Sequence, residues 1–113
     1  MKRRRQPHTS RREAVVTWNV DGLRALLRDT AGVAALRGLL KAQPAVLGLL
    51  EHKLQDSGAS SLKARAVLEV LANEYGYDAT WTFSPRAGRD GVVALVRRSA
   101  HVREPPTLSL IHI

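Results

Sequence analysis

Two short apolar runs that each close on polar side chains constrain this chain more than anything else in it. "AVVTWNV" (residues 14–20) and "AVLGLLE" (residues 45–51) are rich in branched apolar residues, and each predicts a buried strand. Between them Leu23, Leu26 and Leu27, then Val33, Leu36, Leu39 and Leu40, recur at helical spacing. Thr30 stands where a cap of the second helical piece is expected, and Pro44 lies just beyond its end. "DSGASS" reads as a loop. "LKARAVLEVLANEYG" predicts a third helix with Leu62, Ala66, Val67, Val70 and Leu71 on one face and Gly76 as its stop. "DATWTF" predicts a third strand, "SPRAGRDG" a turn and "VVALVRR" a fourth strand. The order β-α-β-α-β-β is that of an α/β protein with helices against a mixed sheet, and no internal repeat interrupts it.

A chain of 113 residues has room for one small domain or part of a larger one. Its formal net charge is +8, unevenly placed. Lys2, Arg3, Arg4, Arg5, Arg11 and Arg12 stand in the first 12 residues with no acid among them, which leaves the folding part nearly balanced. Residues 1–12 have too few apolar side chains to pack, so they read as a disordered basic arm. The arm is a solvated tail, a nuclear address, or a phosphate-binding arm in which Lys2, Arg3, Arg4 and Arg5 meet nucleic acid without reading bases. An organelle presequence ranks lower, because the arm shows no amphipathic face. With no cysteine, disulfide partners and Cys-ligated metals are excluded. No apolar segment is long enough to span a membrane, and the N-terminus lacks the apolar stretch of a secretory signal.

The chemistry gathers at the strand ends. Residues two apart in a strand share a face, so Asn19 and Asp21 are expected to lean together over the exit of the first strand. Glu51 ends the second strand in the same way. If the strands are neighbours, these groups converge on the sheet edge where α/β proteins place ligands. Two carboxylates and an amide make an all-oxygen site suited to Mg²⁺ or Mn²⁺, with Lys53 nearby to compensate charge. The plainer reading is that Asp21-Gly22 is a turn and Glu51 an ordinary acid at a strand end.

"TWNVDGLRALL", "PAVLGLLEHKLQ" and "WTFSPRAGRDGVVAL", in this order, resemble the exonuclease III-like apurinic/apyrimidinic (AP) endonucleases of the endonuclease/exonuclease/phosphatase superfamily. Those proteins open with a strand ending in W-N-V-(D/N)-G-L-R, then one ending in Q-E-(T/S)-K, then a Trp followed by K-G-Y-S-G and an apolar strand. The resemblance covers residues 14–103 and implies the N-terminal half of a four-layer α/β sandwich. It implies Glu51 as a ligand of a divalent metal, Mg²⁺ or Mn²⁺, with Asp21 beside or on that metal. Asn19 would orient phosphate and a catalytic aspartate, and Lys53 would play a supporting part. The implied reaction is metal-assisted attack of water on a phosphodiester of abasic-site duplex DNA, as in base-excision repair.

Several departures qualify this. The family's Gln-Glu-Thr-Lys reads Leu50-Glu51-His52-Lys53, and the Gln beside the metal ligand is gone. His52 is expected to be a solvated neighbour of the ligand. Gly-Tyr-Ser-Gly reads Gly88-Arg89-Asp90-Gly91, so Arg86 and Arg89 either meet DNA phosphates or are ordinary turn residues. Trp18 and Trp81 are expected in the core. The chain holds no N-V-Y-x-P, G-D-x-N or S-D-H motif. It is therefore expected to be a fragment, inactive alone, of an AP endonuclease parent. The alternatives are a retrotransposon-type endonuclease fragment or a non-enzymatic nucleic-acid-binding half-domain. A nuclear or other DNA-containing compartment follows from the same reading. Residues 13–107 are assigned to the domain. "LSLIHI" (residues 108–113) is expected to be a non-native tail without a partner sheet, since it is what CTG TCT CTT ATA CAC ATC, the start of a transposase library adapter, would encode; the plainer reading is a short apolar strand closing the chain.

Overall fold

A computed structural model describes residues 12–86, 88–100 and 107–113. The elements are β1 (Arg12–Asn19), α1 (Leu23–Arg28), α2 (Thr30–Lys41), β2 (Val46–Leu50), α3 (Ala59–Glu74), β3 (Tyr77–Thr82), β4 (Val92–Arg97), a 3-10 turn (Arg98–Ala100) and β5 (Thr107–His112). They form one mixed sheet of order β3-β4-β2-β1-β5. β1 lies between β2 and β5 and is parallel to both, while β4 runs antiparallel to β2 and to β3. The predicted α/β class and mixed sheet are therefore observed, with a fifth strand added.

Helices pack on one face of this sheet. Val16, Leu47, Leu49, Val93 and Leu95 point from the central strands into a cluster with Leu23 of α1, Leu36 and Leu40 of α2, and Leu68 and Leu71 of α3. Trp18 and Trp81 pack against that cluster, partly buried. The alternation of a strand sends the intervening residues to the opposite face. There Val15, Val46, Leu50, Val92, Ala94 and Val96 lie outside the buried cluster, and no described helix covers them. The domain is thus one sheet with one helical layer, consistent with part of a sandwich whose second layer would cover the apolar face.

Four details differ from the sequence reading. Thr30 is not a cap; it is the first residue of α2, and extended Asp29 separates the two helices without a side-chain cap bond. Gly32 allows that close turn, because a Cβ there would stand 2.8 Å from both Leu26 Cδ1 and the Leu26 carbonyl oxygen. On α3 the buried residues are Ser61, Ala64, Leu68, Leu71 and Ala72, whereas Leu62, Val67 and Val70 face outward. The helix is apolar on more than one side, so periodicity alone does not say which stripe is covered. Arg12 belongs to β1 rather than to the arm, whose residues 1–11 lie outside the described residues. Finally, residues 107–112 do have a partner sheet: β5 fills the free edge of β1 from Arg12↔Thr107 to Thr17↔His112, across the boundary expected after residue 107.

Candidate functional site

Register sets the site. β1 and β2 are parallel neighbours paired up to Asn19↔Leu50, so the polar residues after each strand emerge at the same sheet edge. The two chains stay joined beyond the ladder. Val20 N–H donates to the Leu50 carbonyl at 3.0 Å, Gly22 N–H to Glu51 at 2.8 Å and Leu23 N–H to His52 at 3.0 Å. Asn19 Nδ2 donates to Glu51 Oε2 at 2.7 Å, and Asn19 Oδ1 accepts the Asp21 N–H at 2.9 Å. The two partners together fix the amide's orientation, since a carboxylate needs the NH₂ and an N–H needs the oxygen.

Lys53 completes the group. Its Nζ donates to Asp21 Oδ1 at 2.5 Å. The hydrogen bond and charge of Asp21 raise the Lys53 ammonium above the usual lysine value, with Glu51 and Asp90 adding to the effect. The backbone here is contorted. Asp21, Glu51, Lys53 and Asp90 take positive φ values of 48°, 58°, 60° and 46°, a left-handed conformation that costs energy without glycine. Hydrogen bonds from His52 N–H to the Gly91 carbonyl (3.1 Å) and from Lys53 N–H to Asp90 (2.8 Å) hold this strand exit on the β3–β4 turn.

His52 is fully buried, which corrects the expectation of a solvated neighbour. Positive φ on either side turns its ring inward beneath the edge, away from Glu51 and Lys53. Nδ1 accepts the Leu54 N–H at 2.9 Å and Nε2 donates to the Thr82 carbonyl at 2.8 Å, which is the neutral Nε2–H tautomer. The ring meets Trp81 and Phe83 edge-on, with centroids 5.3 and 5.4 Å away. Burial pushes the imidazole below the usual histidine value, and the Arg65 charge pushes the same way, against the Thr82 hydrogen bond. Gly91 (φ 88°) closes the pocket: a Cβ there would stand 2.4 Å from His52 Cε1.

Residues 16–112 match the endonuclease/exonuclease/phosphatase family. The chain belongs to this family. No curated protein matches it. Similar solved structures include an AP endonuclease from Archaeoglobus fulgidus, with 23% identity and a TM-score of 0.49, covering 72% of this chain and 26% of that one. A 3′-5′ exonuclease from Neisseria meningitidis is 24% identical with a TM-score of 0.48, covering 73% and 27%. A 3′ phosphatase from Neisseria bound to a product DNA hairpin is 25% identical with a TM-score of 0.45, covering 73% and 26%. The chain thus spans about a quarter of the length of each of these structures.

Within this endonuclease/exonuclease/phosphatase chain, Asn19, Asp21, Glu51 and Lys53 come together at one edge. Among the described residues no three His, Cys, Asp or Glu side chains stand as a group able to hold a metal ion. The donor set fits part of a hard-cation site. Glu51 gives one oxygen to Asn19 and leaves Oε1 for a further partner, while Asp21 gives Oδ1 to the Lys53 ammonium and leaves Oδ2. Arg86 and Arg89 are exposed in the β3–β4 turn, which the carbonyls of Asp90 and Gly91 attach to the same edge. Lys2, Arg3, Arg4 and Arg5 lie outside the described residues. Asp90 was not singled out from sequence. Its signal was available, because Asp90-Gly91 repeats the Asp21-Gly22 pair at the other turn of the edge.

Proposed function

We propose that this segment forms the Glu51 side of a divalent-metal phosphodiesterase site acting on DNA, with abasic-site duplex as the substrate class. The observation that carries it is the Asn19–Glu51 hydrogen bond, 2.7 Å, across the exits of two parallel strands. It orients a carboxylate over the sheet edge with one oxygen uncommitted. Mg²⁺ or Mn²⁺, when bound, would supply a Lewis acid for a phosphoryl oxygen. Glu51 would hold it and Asn19 would fix the Glu51 rotamer. Asp21 has Oδ2 uncommitted, but the Lys53 ammonium on Oδ1 would compete with a metal ion for its charge, so its part is secondary. Lys53, among three carboxylates, would balance their charge or turn to a phosphate oxygen. Arg86, Arg89 and the arm residues Lys2, Arg3, Arg4 and Arg5 would meet backbone phosphates, which position a nucleic acid without reading it. The arm's charge also supports a DNA-containing compartment, the nucleus among them.

A second reading, a nucleic-acid-binding half-domain without catalysis, is favoured by the lack of a three-ligand cluster among the described residues. A retrotransposon-type endonuclease shares the same half-site. Incision assays on the intact gene product discriminate these readings. Duplexes with an abasic site, a 3′ phosphate or no lesion are compared in Mg²⁺. Abasic-site incision lost in Glu51→Gln supports the proposal, cleavage of unmodified duplex supports the retrotransposon type, and DNA binding without cleavage supports the half-domain.

A further inference from the structure

We propose that the outer face of the helical layer docks an acidic amphipathic helix of a partner protein. A groove runs between α3 and the α1–α2 pair as two adjoining hollows of about 470 and 490 Å³ that share Val67. Leu27, Val33, Ala66, Val67 and Val70 supply its apolar lining. Val67 and Val70 are 46% and 67% exposed, and Leu62, 50% exposed, extends the stripe along α3. None of these three side chains belongs to the buried cluster beneath the helix. A contiguous exposed apolar stripe of this kind marks an interaction surface.

The rim sets the partner's charge. Arg24, Arg28 and Lys63 border one hollow, and Arg37 borders the other, paired with Glu74 at 3.2 Å. Glu74 is the only acid among the lining residues, and Arg28 and Lys63 have no ion pair among the described residues. An apolar floor with unpaired cations at its rim matches a helix carrying apolar residues at i, i+3/i+4 and i+7 with carboxylates beside them. α3 is 16 residues long. The groove beside it therefore takes about four turns of helix at 1.5 Å per residue. A second copy of this chain would set the same cations against each other. A nucleic acid would leave the apolar floor uncovered. The groove shares no residue with the strand-edge site, so this proposal stands independently of the metal reading.

The probe is a fluorescein-labelled helical peptide of about 16 residues, with leucines at the stated spacing and flanking glutamates, read by anisotropy against the 113-residue chain. The control peptide replaces every glutamate with lysine. The acidic peptide is expected to bind about tenfold tighter or better, with affinity falling as salt rises. Val67→Asp with Val70→Asp should abolish binding with an unchanged circular dichroism spectrum, since both side chains are exposed. Should that variant not fold, Arg28→Glu with Lys63→Glu serves as the test: it should weaken the acidic peptide and favour the lysine peptide. Equal binding of both peptides overturns the proposal. So does displacement of the bound peptide by a short DNA duplex, which would assign the cations to nucleic acid.

Discussion

Asn19 Nδ2 donates to Glu51 Oε2 at 2.7 Å, and the same amide accepts the Asp21 N–H, so one side chain ties together the exits of two parallel strands. The tie spans 32 residues of sequence but only one interstrand step, because the β1–β2 register ends at Asn19↔Leu50. Around it the chain accepts four left-handed non-glycine residues, and such conformations persist only where neighbouring structure enforces them.

Replacing Asn19 by Ala should remove both bonds and cost about 1 kcal/mol, a modest loss because the pair is exposed. Asn19→Asp should cost more at neutral pH, since it sets a carboxylate against Glu51, and should recover as pH falls below the carboxylate range. Urea unfolding of the two variants at pH 7 and pH 4 measures both effects. Equal stabilities at both pH values would show that the amide does not contact Glu51 in solution.

The His52–Gly91 contact predicts a coupled pair. Gly91→Ala should destabilise by about 2–4 kcal/mol, from overpacking against the ring plus a positive φ that alanine resists. In a His52→Thr background the same substitution should cost only about 1 kcal/mol, the backbone part. A double-mutant cycle by urea unfolding should therefore give a coupling of about 1–3 kcal/mol. Additive costs would mean that the ring does not fill the space beside Gly91.

Much of the fold was legible because its signals are local. The strands at 14–20 and 45–51 show as apolar runs, and their polar ends mark the edge, so the convergence of Asn19, Asp21, Glu51 and Lys53 there was legible from spacing and motif. His52 was misread because its burial depends on the inward turn made by positive φ at Glu51 and Lys53, and on a missing Cβ 39 positions away at Gly91. Neither leaves a periodic trace. The covered face of α3 was not legible because Val67 and Val70 are as apolar as Leu68 and Leu71, and only the sheet decides which pair is covered. β5 was missed because a strand is defined by a partner edge, and that edge belongs to β1, more than 90 residues earlier.

Stability should fall as pH drops below the ordinary histidine range. The folded His52 imidazole has a lowered proton affinity, so below the unfolded value of about 6.5 the unfolded chain binds the proton and the native chain resists it. The contribution is complete above that value and is lost as pH falls toward the folded one. Thermal melts from pH 7.5 to 5 in metal-free buffer should show a decline that is smaller in His52→Thr. An identical slope in both proteins would place the effect elsewhere.

The uncovered sheet face predicts self-association. Val92 is 38% exposed beside Ala94 and Val96 on a face with no helix over it. The chain should bind a hydrophobic dye and self-associate as its concentration rises, and Val92→Thr with Val96→Thr should reduce both while keeping strand propensity. A dye-negative wild type that stays monomeric at every concentration would contradict this.

Paramagnetic broadening by Mn²⁺ of the ¹⁵N-labelled chain is the sharpest test of the proposal that Glu51 anchors a divalent cation at the strand edge. Weak binding is expected, with broadening centred on the amides of residues 19–22 and 50–53. It should be lost in Glu51→Gln and strengthened in Lys53→Ala, which frees Asp21. Broadening centred elsewhere, or unchanged in Glu51→Gln, would show that Glu51 does not hold the cation.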